Sequence, residues 1–358
     1  MWHPIEQAMA RQVRHLRPIA RADADPACQA IADQIERDFG AFVPPFSLHS
    51  AAPALLAACW TMLREALVSR HADRLTKEAV ASAVSRRNAC SYCVDAHTTA
   101  MHALGDGVGA GVLADPTRAP AHPGALAPIV AWAAATRTPE ATVLRAPPFA
   151  ADAAPEMIGI ALAFHYINRM AQVFLAPSPM PFASPRLKAL TRRLLAPRLG
   201  GILVRPLMPG ASLAWLPEAP LPADFVWARR NPEVAAAFAR AAATFEAAGA
   251  ALLPPAVRAL VAARLRAWQG EDADLDRRWL DDVVATVAAG EQAAARLALL
   301  AAFAPFRVDD AVIADFRRAH PGDAALITAV AWASFAAARR IGGWLVVAQC
   351  SDTAASLK

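Results

Sequence analysis

The chain has 358 residues, an apolar fraction of 56% and a formal charge of +5, which is enough for one large core or two ordinary ones and excludes a disordered protein. Its lysines are Lys77, Lys188 and Lys358, and its arginine pairs, Arg192–Arg193, Arg229–Arg230 and Arg339–Arg340, are scattered; without one basic stripe and interleaved aromatics, they read as solvated helix faces and not as a nucleic-acid surface. Five cysteines do not make a disulfide framework, and Met1-Trp-His-Pro-Ile-Glu6 lacks a charged region followed by an apolar signal core, so the expected address is the cytoplasm.

Long Ala-, Leu- and Arg-rich segments with few Tyr predict an all-α protein. A first helix is expected over 27–39, and Val43-Pro-Pro-Phe-Ser breaks it from the next segment. Leu55, Leu56, Cys59, Trp60, Leu63 and Leu67 recur at helical spacing over 53–68. Thr76 is the expected N-cap of a helix beginning at Lys77-Glu78, and Asn88 or Ser91 starts a fresh helix at a Cys-x-x-Cys pair. A loop over 116–123, a helix over 126–136 and a strongly apolar helix over 157–174 follow.

From Pro177 to Pro222 the proline-punctuated chain reads as a linker or an arm packed on the surface. Helical pattern then resumes. The run 324–338 is too short to span a bilayer and is followed by Arg339 and Arg340, so no membrane span is predicted.

The second half echoes the first. Pro53-Ala-Leu-Leu-Ala-Ala-Cys-Trp answers to Pro232-Glu-Val-Ala-Ala-Ala-Phe-Ala, Leu75-Thr-Lys-Glu-Ala-Val to Leu253-Pro-Pro-Ala-Val-Arg, Ile129-Val-Ala-Trp-Ala-Ala to Leu299-Leu-Ala-Ala-Phe-Ala, and the helix around Phe164 to that around Trp332. Their common order points to a duplication: a repeat over 1–176, the Pro-rich segment 177–224, and a degenerate repeat over 225–358. The second copy has lost the chemistry, because the positions answering to the cysteine pair fall in Trp268-Gln-Gly-Glu-Asp-Ala-Asp-Leu-Asp276, without thiol or imidazole.

The chemistry concentrates in Ser85-Arg-Arg-Asn-Ala-Cys-Ser-Tyr-Cys-Val-Asp-Ala-His97, with Glu78 twelve residues before Cys90. Helical steps of three and four bring Cys90, Cys93 and His97 onto one face. A helix starting near Asn88 places Cys90 in its first turn, where free N–H groups favour a thiolate. His97 can accept the Cys93 proton, and Glu78 can orient or recharge the imidazole. Either Cys93 attacks a peroxide and Cys90 resolves the sulfenic acid, or Cys90 exchanges with an outside dithiol, and both can be halves of one cycle. Cys28, Cys59 and Cys350 read as ordinary core or surface thiols.

At these residues the sequence resembles the AhpD-like alkylhydroperoxidase and carboxymuconolactone decarboxylase superfamily. The pattern is Glu78, then Cys90-Ser-Tyr-Cys93-Val-Asp-Ala-His97, then Thr-Thr-Ala-Met-His-Ala-Leu-Gly105, with looser likeness from Phe42 to Phe174 that includes Phe164-His-Tyr-Ile-Asn-Arg-Met170. The resemblance implies an all-helical fold and a thiol peroxidase or disulfide reductase in which Glu78, Cys90, Cys93 and His97 form a proton relay. It implies no cofactor beyond the redox-active Cys90–Cys93 disulfide. It further implies a hydroperoxide substrate, a lipoyl-bearing protein or other dithiol as electron donor, a peroxiredoxin as acceptor, and a homo-oligomer. The decarboxylase branch generally lacks the two cysteines, so the redox branch is the match. This chain departs from the family in having twice the usual length, and Tyr92 stands where the best-known branch has a histidine.

Two other readings stay open on the residues alone. One is a weakly catalytic scaffold whose cysteines sense redox state. The other is a structural zinc module with Cys90, Cys93, His97 and His102 as ligands, although zinc sites normally join separate segments. His165, Asn168 and Arg169 share one helix near the dithiol and stay outside the core assignment.

Overall fold

The computed structural model describes residues 10–350 apart from 18, 116, 120, 181–183 and 274–277, and without the side chains of 185 and 346–350. The leader reading of Met1–Glu6, the thiol of Cys350 and positions 274–276 of the degenerate motif therefore lie outside the described residues. Within them the protein is all-α, with a lone antiparallel bridge between Val13 and Leu175. The α-helices longer than one turn are α1 (Pro26–Phe39), α2 (Pro53–Val68), α3 (Arg74–Arg87), α4 (Ser91–Ala103), α5 (Gly107–Ala114), α6 (Ala127–Ala135), α7 (Ala154–Phe174), α8 (Pro185–Leu203), α9 (Pro232–Leu252), α10 (Pro255–Ala267), α11 (Arg278–Val284), α12 (Gln292–Phe303), α13 (Asp310–Ala319) and α14 (Asp323–Cys350).

Local chemistry sets their ends. The Asp25 carboxylate accepts from Ala27 N ahead of Pro26 in α1, which stops at Gly40 with φ +88°. Helix α3 begins three residues before the expected start. Asp73 accepts from Thr76 N at 2.9 Å and also takes the Thr76 hydroxyl proton, so Thr76 lies inside the first turn and Asp73 is the cap. Asn231 caps α9 through Val234 N.

Helices α2, α7, α9 and α14 make the centre, with α2 packed along α9 and α7 along α14. These are the helices the sequence pairs across its two halves, so matching elements meet face to face as in an isologous contact. Tyr166, Phe245 and Phe335 fill the junction, with Phe245 and Phe335 stacked at 4.3 Å. Gly249 lets α9 approach α14, because a Cβ there would sit 2.1 Å from Trp332. Two fully buried ionic groups brace the first half: Lys77 Nζ meets Glu156 at 2.7 Å, and Glu156 also accepts from the backbone of His71 and Ala72. Pairing and hydrogen bonding together make such burial tolerable.

The middle of the chain carries regular structure, and one expectation changes. The proline-rich segment contains the 19-residue helix α8, which lies against α4. Pro185 suits its first turn, and Pro197 sits inside it. The apolar run near the C-terminus is part of the 28-residue α14, long and apolar enough by composition to cross a membrane over Asp323–Leu345, so the expectation of a short segment is corrected. Most of that stretch is buried against α7, α9 and α12, and Arg339 within it is paired with Asp224. It is a core helix of this fold.

Candidate active site

The turn between α3 and α4 builds the site. Ala89 takes φ +54°, an uncommon value for a residue with a side chain, and Cys90 N bonds back to Ser85 O at 2.9 Å. The chain thereby reverses, α4 lies along α3, and His97 comes level with Glu78 although nineteen residues separate them. Cys90 is the N-cap of α4, just outside the first turn the sequence assigns to it, and Cys93 sits on the first turn.

The two sulfurs are 2.7 Å apart and both residues are 2% exposed. A disulfide bond of about 2.05 Å needs only a small approach. Burial, then the neighbouring Cys90, push the Cys93 thiol well above its usual range, while Asn168 and Ser85 pull the other way by hydrogen bonding. Cys93 is therefore a protonated thiol in this arrangement.

Glu78 and His97 form a carboxylate–imidazole pair, with Nδ1 2.7 Å from Oε2, and Arg74 Nε holds the other carboxylate oxygen at 2.7 Å. Burial pushes the Glu78 carboxyl up, but Arg74 and His97 outweigh it and bring it down to about 2. The His97 ring rests edge-on against Phe164 at 4.4 Å and its side chain is 24% exposed. The pair thus reaches from a buried anion to the surface. No hydrogen bond joins His97 to either sulfur, so the imidazole is anchored beside the dithiol without yet engaging it.

The structure also brings in groups the sequence assignment left aside. Asn168 Nδ2 donates to Ser85 Oγ at 3.0 Å, and both side chains face Cys93. Asn88 Nδ2 donates to Asn168 Oδ1 at 2.9 Å and to His165 Nδ1 at 3.0 Å. The His165 proton then sits on Nε2, directed at Thr136 Oγ1 2.8 Å away, while the Thr136 hydroxyl donates to Ala133 O. Burial, followed by Arg169, Arg137 and Arg87, holds His165 well below the usual imidazole range, hence neutral. The run of polar residues His165, Asn168 and Arg169 on a largely apolar helix was the available signal for Asn168; Ser85 carried none.

Tyr92 is buried and its hydroxyl donates to Gln12 Oε1 at 2.9 Å; burial and both cysteines raise its phenol. Asp95, two residues past Cys93, takes Lys188 at 2.5 Å, Arg192 at 2.9 Å and the Ser178 hydroxyl at 2.6 Å, fastening α8 over the dithiol helix. Cys28 and Cys59 are buried, with thiols raised first by desolvation. His102 lies against Gly107, and among the described residues no three His, Cys, Asp or Glu side chains converge as metal ligands would.

Over 339 residues, 93% of this chain and 95% of the other, the sequence is 38% identical to a Mycobacterium tuberculosis protein named alkyl hydroperoxide reductase Rv2159c. The chain belongs to the AhpD-like alkylhydroperoxidase family. No family model and no solved structure matches it. Because the match runs through both halves, the double length of this AhpD-like protein is shared with that relative.

Proposed function

We propose that this AhpD-like protein reduces hydroperoxides through the Cys90–Cys93 dithiol, with Glu78 and His97 moving the protons. The observation that carries the reading is the closeness of two buried sulfurs, 2.7 Å apart, beside an imidazole anchored to a buried carboxylate. The Cys93 thiolate attacks the terminal peroxide oxygen, the O–O bond breaks, and the alkoxide takes a proton to leave as an alcohol. Cys90 then attacks the Cys93 sulfenic acid, forming the disulfide and releasing water. An external dithiol, such as a lipoyl group, returns two electrons and two protons through Cys90, the sulfur at the helix N-terminus.

The raised Cys93 thiol asks for a base in the loaded site. His97, with one nitrogen held by Glu78, has the other to offer. A cycle that consumes dithiols fits a reducing, cytoplasmic compartment. Thiol titration with and without an alkyl hydroperoxide tests the proposal in wild type, Cys90→Ser and Cys93→Ser. We expect wild type to lose two thiols, Cys90→Ser to accumulate a sulfenic acid trappable by a dione, and Cys93→Ser to turn nothing over. Full turnover by Cys93→Ser would overturn the reading.

A further inference from the structure

Behind the dithiol, the first half is gripped by a loop of the second. Arg137, 8% exposed, donates from Nη2 to Gly270 O at 2.9 Å, Glu271 O at 3.2 Å and Asp272 Oδ1 at 2.8 Å. Its guanidinium lies 5.6 Å from the Trp268 ring, over which Arg169 also sits, and Trp268 Nε1 closes the loop onto Glu271 O. Gly270 has φ +86°, and a Cβ there would stand 1.7 Å from the Arg137 carbonyl oxygen, so the contact requires glycine. Arg87, the last residue of α3, reaches Asp272 as well.

We infer that the loop Trp268–Asp272 positions the reactive cysteine: it holds Arg137, Arg137 holds Asn88, and Asn88 fixes the Asn168 amide with its nitrogen toward Ser85 and Cys93. The links are geometric. Arg137 Nη1 lies 3.5 Å from Asn88 Oδ1, which leaves Asn88 Nδ2 free to donate to His165 Nδ1 and Asn168 Oδ1. With its oxygen so occupied, Asn168 can present only N–H bonds on the other side, where Nδ2 meets Ser85 Oγ and the amide acts on the Cys93 thiol, pulling it toward ionisation. A fixed N–H dipole favours the thiolate and every negative intermediate that follows it. The stretch 268–272 begins the segment that answers in order to Cys90–His97, so the second copy, without thiol or imidazole, keeps a part in the chemistry of the first.

This inference rests on the role proposed for Cys93, yet its test needs no peroxide turnover. The groups facing Cys93 are Cys90 at the helix N-cap, Tyr92 on its own helix, Ser85 from α3 and Asn168 from α7, with His165 held by Asn88 and Thr136, the Glu78–His97 pair, and Arg87, Arg137 and Arg169 beyond. The experiment is the pH dependence of Cys93 alkylation by iodoacetamide, followed by mass spectrometry in a Cys90→Ser background. Arg137→Met and Asn168→Ala are each expected to move the midpoint upward by about one pH unit, making alkylation roughly tenfold slower below it. Because Arg137 acts through Asn168, the double variant should match Asn168→Ala alone. Shifts that add, as a direct effect of the Arg137 charge would give, overturn the inference, as does an Arg137→Met profile identical to that of its parent. Should Arg137→Met fail to fold by circular dichroism, Asp272→Ala, at a side chain 70% exposed, carries the same comparison with an expected slowing of about threefold.

Discussion

Replacing Glu78 by Gln removes the buried anion that links Arg74 to His97. In the folded protein its carboxyl lies at about 2, against an ordinary 4.5. At 1.36 kcal/mol per pH unit, that gap makes the ionised Glu78 worth about 3 kcal/mol of folding stability at neutral pH. The sign follows from proton uptake: the unfolded chain binds a proton near pH 4.5 and the folded one only near 2, so the contribution is complete above 4.5 and drains away as pH falls toward 2. Urea unfolding of wild type and Glu78→Gln at pH 7, 5, 4 and 3 measures it. The wild type should exceed the variant by about 3 kcal/mol at pH 7, and the difference should fall to less than half of that at pH 3. An equal difference at pH 7 and pH 3 would refute the reasoning, because it would mean the carboxyl is not held ionised by its partners.

Tyr166→Phe strips the hydroxyl that donates to the wholly buried His49 Nε2 at 2.7 Å and should cost about 1–3 kcal/mol in thermal melts. His49 itself is held down to about 4 by burial; since the unfolded chain takes that proton near 6.5, it withdraws stability as pH falls from 6.5 to 4. Asp95→Asn frees Lys188 and Arg192, so hydrogen exchange over Pro185–Leu203 should rise, with a loss of about 1–2 kcal/mol. Gly249→Ala should lower the melting temperature despite the helix-favouring change, because a Cβ 2.1 Å from Trp332 costs about 1–3 kcal/mol against a propensity gain of about 1.

Where periodicity and breakers agree, the sequence reads well. The helix over 53–68 appears at those bounds, and 27–39 misses by one residue at the start. Helix α8 escapes because its prolines are read as breakers, although one occupies the first turn, where no N–H is needed, and the helix takes its hold from Asp95 far away in sequence. The carboxylate, thiols and imidazole are legible because Glu78, Cys90, Cys93 and His97 lie within twenty residues on two adjacent helices. Asn168 and Ser85 are eighty-three residues apart, and nothing local announces that an amide on α7 will face a sulfur on α4.

The central packing of α2 on α9 and α7 on α14 also sets a timetable for the nascent chain. The dithiol half is synthesised first, yet the faces of α2 and α7 that border it find their partners only once residues 232–350 have been made. At roughly 5–20 residues per second, that is an interval on the order of ten seconds. During it the first half waits with those apolar faces uncovered, so the packing around the cysteine-bearing half is completed only by helices that emerge long after Cys90 and Cys93.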